Sequence, residues 1–513
     1  MKFIKKFLFH RITFIFIAMM AQFFVLVSVL IRFYDYFALF YAISILISIL
    51  AVISIISNFI NPAYKLAWII PIMLFPVFGG VFYLLFAGNR VGKKTKIKMN
   101  AIEQKSKEVL PANKDVLLGL ENYNKIAANQ SRYIQDYALF PIYGNSMTEY
   151  LPNGEKKFER LKEELKKAKK YIFLEYFIIE QGYMWDTLLD ILVKKAAQGV
   201  DVRLIYDDAG CMFTLPYKYN KRLEKLGIKC CVFNPLSPIL SSRYNNRDHR
   251  KLTIIDGCTG FTGGVNLADE YINRFEKYGH WKDSAIMIKG EAVWSMTVMF
   301  LSMWNYLNPS DEDLGKFKQD YCLLADDVDG DLGYVQPFAD SPLSNETVGE
   351  VIYLNLINKA KDYVYITTPY LVIDNEMIIA LTSAAKSGVD VRIITPHRPD
   401  RWYVHAVSRS YYKTLVESGV KIYEYVPGFI HSKVFVSDDE YGVVSTINMD
   451  YRSLYLHFEC GVWTYKSVSV GQMKSDFLET LNVCKQITNE DFKNVKWYKL
   501  FVSSILRVFA PLM

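Results

Sequence analysis

The sequence predicts an α/β protein in which two repeated α/β sandwich domains are fused and share one active site, behind N-terminal transmembrane helices. Three observations carry this expectation. Apolar runs crowd the first 90 residues, the remainder repeats itself at an interval of about 190 residues, and each copy holds the same histidine–lysine–aspartate pattern.

The 513 residues exceed one ordinary domain, and 51% hydrophobic with 22% charged residues excludes a disordered chain. The net charge of +7 is concentrated at the front. Residues 1–100 hold eleven Lys/Arg and one acid, Asp35, leaving 49 basic against 52 acidic groups beyond them. A body of net charge −3 does not suit a polyanion, so nucleic acid is not expected as a partner. The seven cysteines contain no CxxC pair, which points to reduced, buried thiols in a cytoplasmic setting rather than a zinc site or a disulfide framework.

In chain order, residues 1–88 read as a membrane domain. The runs 12–31, 37–60 and 66–86 contain no Asp, Glu, Lys or Arg and reach the roughly 20 residues that span a bilayer. Pro71, Pro76 and Gly79-Gly80 are expected to kink the third run. Basic flanks at both ends conflict with three crossings, so the expectation is two or three, in a multi-pass protein of the cell membrane. The richer flank at Arg90–Lys98 favours cytoplasmic catalytic domains. Residues 89–134 read as a polar, helical linker, 135–315 and 325–490 as the two domains, and 491–513 as an amphipathic segment for the bilayer surface or for docking on the protein.

The repeat aligns Lys167–Phe173 with Lys359–Tyr365, Gly199–Arg203 with the identical Gly388–Arg392, and Gly227–Lys229 with Gly419–Lys421. In the first copy, an amphipathic helix over 158–170 leads into an apolar strand over 171–179. A second helix ends at Gly199 before a β-branched strand, the alternation of an α/β fold.

Two of the seven histidines open the pattern H-x-K-x4-D: His249, Lys251, Asp256 and His431, Lys433, Asp438. One such match is expected by chance about 0.03 times, so two at matching repeat positions carry meaning. Gly263-Gly264-Val265-Asn266 and Ser445-Thr446-Ile447-Asn448 follow at equal spacing. Residues i and i+2 of a strand share a face, so each half offers an imidazole, an ammonium and, from the returning strand, an amide. Such a set suits a phosphodiester: cations and amides hold its oxygens, while imidazoles serve as nucleophile and general acid. The aspartates lie on the other face, where fixing the following turn is a better role than proton transfer. No carboxylate or Cys/His cluster in the sequence calls for a metal.

These paired motifs resemble the phospholipase D superfamily over about residues 135–490. Asp269-Glu270-Tyr271, the stretch Asn448–Ser453 running on to Phe458-Glu459, and the N-terminal Asn61–Trp68 and Phe82–Phe86 are similar to bacterial cardiolipin synthases. Ser445-Thr446 departs from the Gly-Ser or Gly-Thr frequent in the superfamily. The resemblance implies two phospholipase D-like domains and transfer of a phosphatidyl group between two phosphatidylglycerol molecules, without cofactor or metal. His249 is the implied nucleophile and His431 the acid and then the base, with Lys251, Lys433, Asn266 and Asn448 on phosphate. A membrane-bound hydrolase is the alternative, and a superfamily nuclease a more remote one. Oligomeric state is left open.

A nucleophilic imidazole needs its second nitrogen held by an acceptor. Asp283 and Glu459 follow their motifs by similar distances and are expected to orient His249 and His431 respectively. Glu175–Phe177 and Thr368–Tyr370 end the first strand of each half, where they line the pocket or pack the core. The His397–Arg401 stretch reads as a loop, an ordinary solvated turn by default, with a lipid-headgroup role as the alternative.

Overall fold

The computed structural model describes residues 11–32, 37–58, 61–86, 93–236, 245–309, 312–319, 322, 332–344, 346–493 and 497–512. The predicted change of domain near residue 325 lies outside them.

Two mixed sheets form the body, as the repeat predicts. The first half contributes β1 (Ser146–Leu151), β2 (Tyr171–Tyr176), β3 (Asp201–Asp207), β4 (Lys229–Phe233), β5 (Lys251–Ile255), β6 (Thr259–Gly263), β7 (His280–Lys282) and β8 (Ala285–Gly290). The second contributes β9 (Tyr334–Asp340), β10 (Tyr363–Thr367), β11 (Leu371–Val372), β12 (Asp390–Pro396), β13 (Lys421–Tyr425), β14 (Gly428–Ile430), β15 (Val434–Ser437), β16 (Tyr441–Ser445), β17 (Met449–Asp450), β18 (Glu459–Tyr465) and β19 (Cys484–Ile487). The sheet orders are β1-β8-β6-β5-β2-β3-β4 and β19-β13-β12-β10-β15-β16-β18-β9. The stretch β8-β6-β5-β2-β3-β4 is matched strand for strand by β18-β16-β15-β10-β12-β13, so the sequence repeat is a repeat of topology.

Local sequence explains the elements. The run YIFLEY of β2 is wholly buried because its strand lies inside the sheet, parallel to β3 and antiparallel to β5, with both faces covered. The helix Gly154–Lys167 starts where the Asn153 side chain accepts the Lys156 N–H, and it buries Phe158, Leu161 and Leu165. Three apolar layers result. An outer cluster lies in each half, and a central one joins Ile254, Ile286 and Phe300 to Val434, Val444 and Val462 across the halves. Phe300, fully buried, stacks on Phe173 at a ring separation of 4.7 Å, a burial that stabilises by roughly 2–3 kcal/mol. The central layer holds the two halves in one fixed relation.

Asp256 and Asp438 end the strands opened by the two lysines. Both adopt left-handed backbone, with φ of 51° and 56°. The Asp256 carboxylate accepts the N–H groups of Lys169, Lys170 and Tyr171, and that of Asp438 those of Lys361, Asp362 and Tyr363. Five residues of strand place them ~16 Å from their lysines, so they tie β5 to β2 and β15 to β10.

Three features depart from expectation. The predicted linker is built into the body. Helices Lys114–Tyr123 and Lys125–Tyr137 bury Leu117, Leu120 and Ile134 in the second half's core, and helix Lys93–Val109 receives the Trp294 indole N–H on the Val109 carbonyl. Cys258 and Cys322 form a disulfide, where only thiols were expected, because 64 residues of chain return Cys322 to the β5–β6 turn; Cys211, Cys230, Cys231, Cys460 and Cys484 are free. The third apolar run is two helices.

That N-terminal region contains α1 (Arg11–Arg32), α2 (Phe37–Ser57), α3 (Pro62–Leu74) and α4 (Pro76–Phe86). The break falls at Phe75 (φ −130°, ψ 64°), since a residue before proline is driven out of helical geometry. Gly80 packs so closely on Ser48 of α2 that a Cβ would stand 2.5 Å from the Ser48 hydroxyl. Among the described residues no helix is long and apolar enough to cross a membrane. Asn61 caps α3 and donates to Asp374 and to the Tyr455 hydroxyl, fastening this region to the second half.

Replacing Asp438 with Ala leaves three strand-start N–H groups without their acceptor. We expect a loss of about 1–3 kcal/mol, read as a lowered Tm, with the pH profile of activity unchanged. A displaced pH profile at unaltered Tm would contradict the turn-fixing role.

Candidate active site

Each histidine is positioned by the half that does not carry it. His249 lies just before β5, and its N–H donates to the Phe458 carbonyl (2.9 Å). Asp248 and Phe458 form a parallel bridge there. The second half repeats the device: β14 pairs in parallel with β7, and the His431 N–H donates to the Lys282 carbonyl (2.7 Å). The residue after Phe458 is Glu459 and the residue after Lys282 is Asp283. The same backbone pairing therefore delivers a carboxylate to each ring.

Glu459 takes His249 Nδ1 at 2.8 and 2.9 Å through its two oxygens, and Asp283 takes His431 Nδ1 at 2.7 Å. Both carboxylates are fully buried. The sequence pairing of Asp283 with His249 and Glu459 with His431 is thus corrected to the reverse. Each carboxylate follows its own motif in sequence but sits on a segment that pairs with the other half's histidine.

The departure at Ser445-Thr446 finds its reason here. A Cβ on Gly264 would stand 1.9 Å from Asp283 Oδ1, so Asp283 fits only against a glycine. At the matching position Thr446 donates its hydroxyl to Glu459 Oε2 at 2.5 Å, while the Ser445 and Tyr353 hydroxyls bond at 2.7 Å.

Lys251 and Lys433 are buried and donate to the carbonyls of His249 and His431. Asn266 is engaged, accepting from the Ile178 N–H and donating to the Tyr271 hydroxyl, whereas the Asn448 side-chain oxygen is buried without a partner. Arg250, which sequence periodicity turns away, reaches the Glu459 carbonyl at 3.2 Å and Glu175 at 3.5 Å, so Glu175 belongs to a buried charge cluster. The Phe177 ring meets the His249 ring edge-on at 5.0 Å. In the loop 397–401, His397 is held by Glu424 and Asp400 by the Tyr370 hydroxyl.

Burial pushes the His249 imidazole down to about 3, against the pull of Glu459, and the His431 imidazole down to about 4, with Lys433 adding to the effect. Burial also lowers Lys251 to about 8 and Lys433 to about 7. Glu459 and Asp283 stay below the usual carboxylate range because their histidines and, for Asp283, Lys433 outweigh burial. The two sets share one field, since Lys251 depresses both His431 and Lys433. An Nδ1–H held by a carboxylate leaves Nε2 with its lone pair free, the form that attacks an electrophile or moves a proton.

His457, absent from the sequence reading, stands beside this site with its ring 5.5 Å from that of His249 and Nδ1 3.7 Å from Glu459. It lies two residues before Glu459, so strand alternation could have found it. Trp281, 5.3 Å from the His431 ring, and buried Lys157, on the Val265 carbonyl, were also missed. His249, His457 and Glu459 bring ligand atoms within 4.8 Å of one another, a cluster the sequence did not foresee. Glu459 is already spent on His249 and Thr446, so a metal would have to displace one of them.

The family described as "Cardiolipin synthase, PLD-like domain" matches residues 161–304 and 353–481, and the family "Phospholipase_D-nuclease N-terminal" matches residues 46–88. The chain belongs to the cardiolipin synthase family. A cardiolipin synthase of Halalkalibacterium halodurans is 35% identical over 92% of this chain and 94% of its own length. One of Geobacillus thermodenitrificans is 36% identical over 88% and 89%. In fold, the phosphatidylserine synthase of Haemophilus influenzae superposes with a TM-score of 0.55 at 16% identity, covering 75% of this chain and 98% of that one.

Crossed pairing makes a specific prediction for a histidine-acylating reagent mapped by mass spectrometry. Glu459→Gln should change the reactivity of His249 several-fold and leave His431 alone, and Asp283→Asn should do the reverse. Both should lower turnover at least tenfold. Uncrossed effects would refute the pairing.

Acid stability follows from the buried imidazoles. Their folded pKa values lie below the ordinary 6.5, so between that value and about 3 the unfolded chain binds protons the folded chain refuses. Stability should be complete above pH 6.5 and fall as pH drops. A His249→Gln/His431→Gln variant should show a shallower decline in Tm between pH 7 and 4.

Proposed function

We propose that the protein synthesises cardiolipin by moving a phosphatidyl group from one phosphatidylglycerol to another. The observation that carries this is the pair of buried imidazole–carboxylate couples, each completed across the halves, with two buried lysines, in a chain of the cardiolipin synthase family.

The chemistry follows from the geometry. With the site empty, both imidazoles are neutral at pH 7. A phosphodiester entering between them supplies the negative charge that Lys251 and Lys433 are placed to hold, and it offsets the burial that disfavours a protonated ring. His431 takes up a proton at Nε2 as the substrate's charge enters, and it gives that proton to the departing glycerol oxygen while His249 Nε2 attacks phosphorus. His431 then takes the proton of the acceptor's primary hydroxyl, which attacks the phosphatidyl-histidine, forms cardiolipin and frees His249. The unpartnered Asn448 oxygen, an acceptor, suits a glycerol hydroxyl of the substrate, whereas the Asn266 amide is already taken by Ile178 and Tyr271. No step asks for a metal or an organic cofactor.

Residues 1–88 hold the enzyme in the membrane. Supporting this are the N-terminal family match, the apolar composition of the region, and the exposed Leu46, Ile49, Leu50 and Ile53 of α2.

The test is a product assay on phosphatidylglycerol in mixed micelles. The expected products are cardiolipin and glycerol in equal amounts, with His249→Ala and His431→Ala each reducing formation at least a thousandfold. Phosphatidic acid as the main product would mean that water, not the lipid hydroxyl, takes the intermediate, and would overturn the transferase reading.

A further inference from the structure

The C-terminal helix Trp497–Val508 takes no part in the proposed chemistry, and its two sides differ. One side is docked: Leu506 packs on the second half's core, the Arg507 guanidinium lies 4.4 Å from the centre of the Tyr411 ring, and Ala510 just beyond is buried. The other side carries Trp497, Phe501 and Ile505 at a four-residue spacing, with Val502 beside them. They are 77%, 60%, 46% and 43% exposed. Exposed aromatic and aliphatic side chains at that spacing form an apolar stripe along a helix.

Two further facts identify what covers the stripe. The helix and the short turn after it pack against α3 as well as helix Trp402–Glu417. On α3, Leu66, Met73 and Leu74 are themselves 55–69% exposed. The stripe thus lies on a helix in contact with an N-terminal helix that exposes apolar side chains of its own. Residues 491–513 hold four Lys/Arg (Lys493, Lys496, Lys499, Arg507) against one acid, Asp491, a charge that complements an anionic lipid surface and not a second copy of the same segment.

We propose that this helix is an interfacial anchor that lays its Trp497–Phe501–Ile505 stripe into the same leaflet of an anionic bilayer as α3. Resting on the reading that the chain is held at a membrane, it adds a second attachment at the opposite end of the sequence. Lipid is then gripped by both termini while the catalytic halves stay in water. The second half, joined to α3 through Asn61 and to the C-terminal helix through Leu506 and Arg507, is held at a fixed height over the membrane.

The test uses the full chain in phosphatidylglycerol–phosphatidylcholine vesicles, with and without phosphatidylcholine brominated on its acyl chains. Quenching of Trp497 is read as the difference between the wild type and Trp497→Phe, because the chain has eight tryptophans. The expected result is at least twofold quenching of that component by brominated lipid, with aqueous iodide without effect. In parallel, Phe501→Ser/Ile505→Ser should raise KM for vesicle-borne phosphatidylglycerol several-fold, leaving kcat and the rate in detergent micelles unchanged. A chain that floats with vesicles but whose Trp497 is quenched by iodide and not by lipid overturns the anchor and leaves the membrane reading intact. Trp497 shielded from both, with cross-links between protomers at this helix, assigns the stripe to a second copy and overturns it equally. Failure to float overturns the membrane reading and the anchor with it.

Discussion

Everything at the active site depends on one exchange between the halves: each histidine takes its orienting carboxylate, and the hydrogen bond to its own backbone N–H, from the opposite repeat. His249 leans on Phe458 and Glu459, and His431 on Lys282 and Asp283. Neither half by itself orients the histidine of its own motif. The central apolar layer that presses the sheets together is therefore a condition of the chemistry as well as of stability, because a shift between the halves would undo both couples at once. Duplication of a domain here yields one site by crossing, where simple repetition would have yielded two incomplete ones.

The cost of this design is electrostatic. Two carboxylates, two imidazoles and two lysines lie out of water, and burial alone would neutralise most of them. Mutual pairing keeps the carboxylates ionised, while the imidazoles and lysines are left with depressed proton affinity. Burial is the largest cause of that depression, and the charge of an entering phosphodiester works against it by favouring the protonated forms. Residues 101–513, of net charge −3, do not favour a soluble polyanion, and the chain's basic excess lies in residues 1–100.

The parts of this arrangement that are local in sequence were legible. The repeat, the strand–helix alternation and the two motifs follow from periodicity and spacing, and the face-alternation of strands already turned Asp256 and Asp438 away from proton transfer. The carboxylates themselves were found from their similar distances after the two motifs. Their assignment was not, since it depends on which strand of one half pairs with which segment of the other, and position after a motif carries no information about that. The inequality of Asn266 and Asn448 depends on whether Ile178 or Tyr271 lies in reach, a tertiary fact. The bend at Phe75 was foreshadowed by Pro76, while the return of Cys322 to Cys258 and the burial of the supposed linker came from packing that composition does not encode.

The most direct test of the shared site is a high-resolution structure with orthovanadate, a trigonal mimic of phosphorus under attack. One vanadium bonded by His249 Nε2, with the oxygen in line opposite it hydrogen-bonded to His431 Nε2, each Nδ1 on the carboxylate of the opposite half and the lysines on the equatorial oxygens, is the predicted result. Two separate anions with one histidine each, or a ring turned from the opposite half's carboxylate to its own, would contradict it.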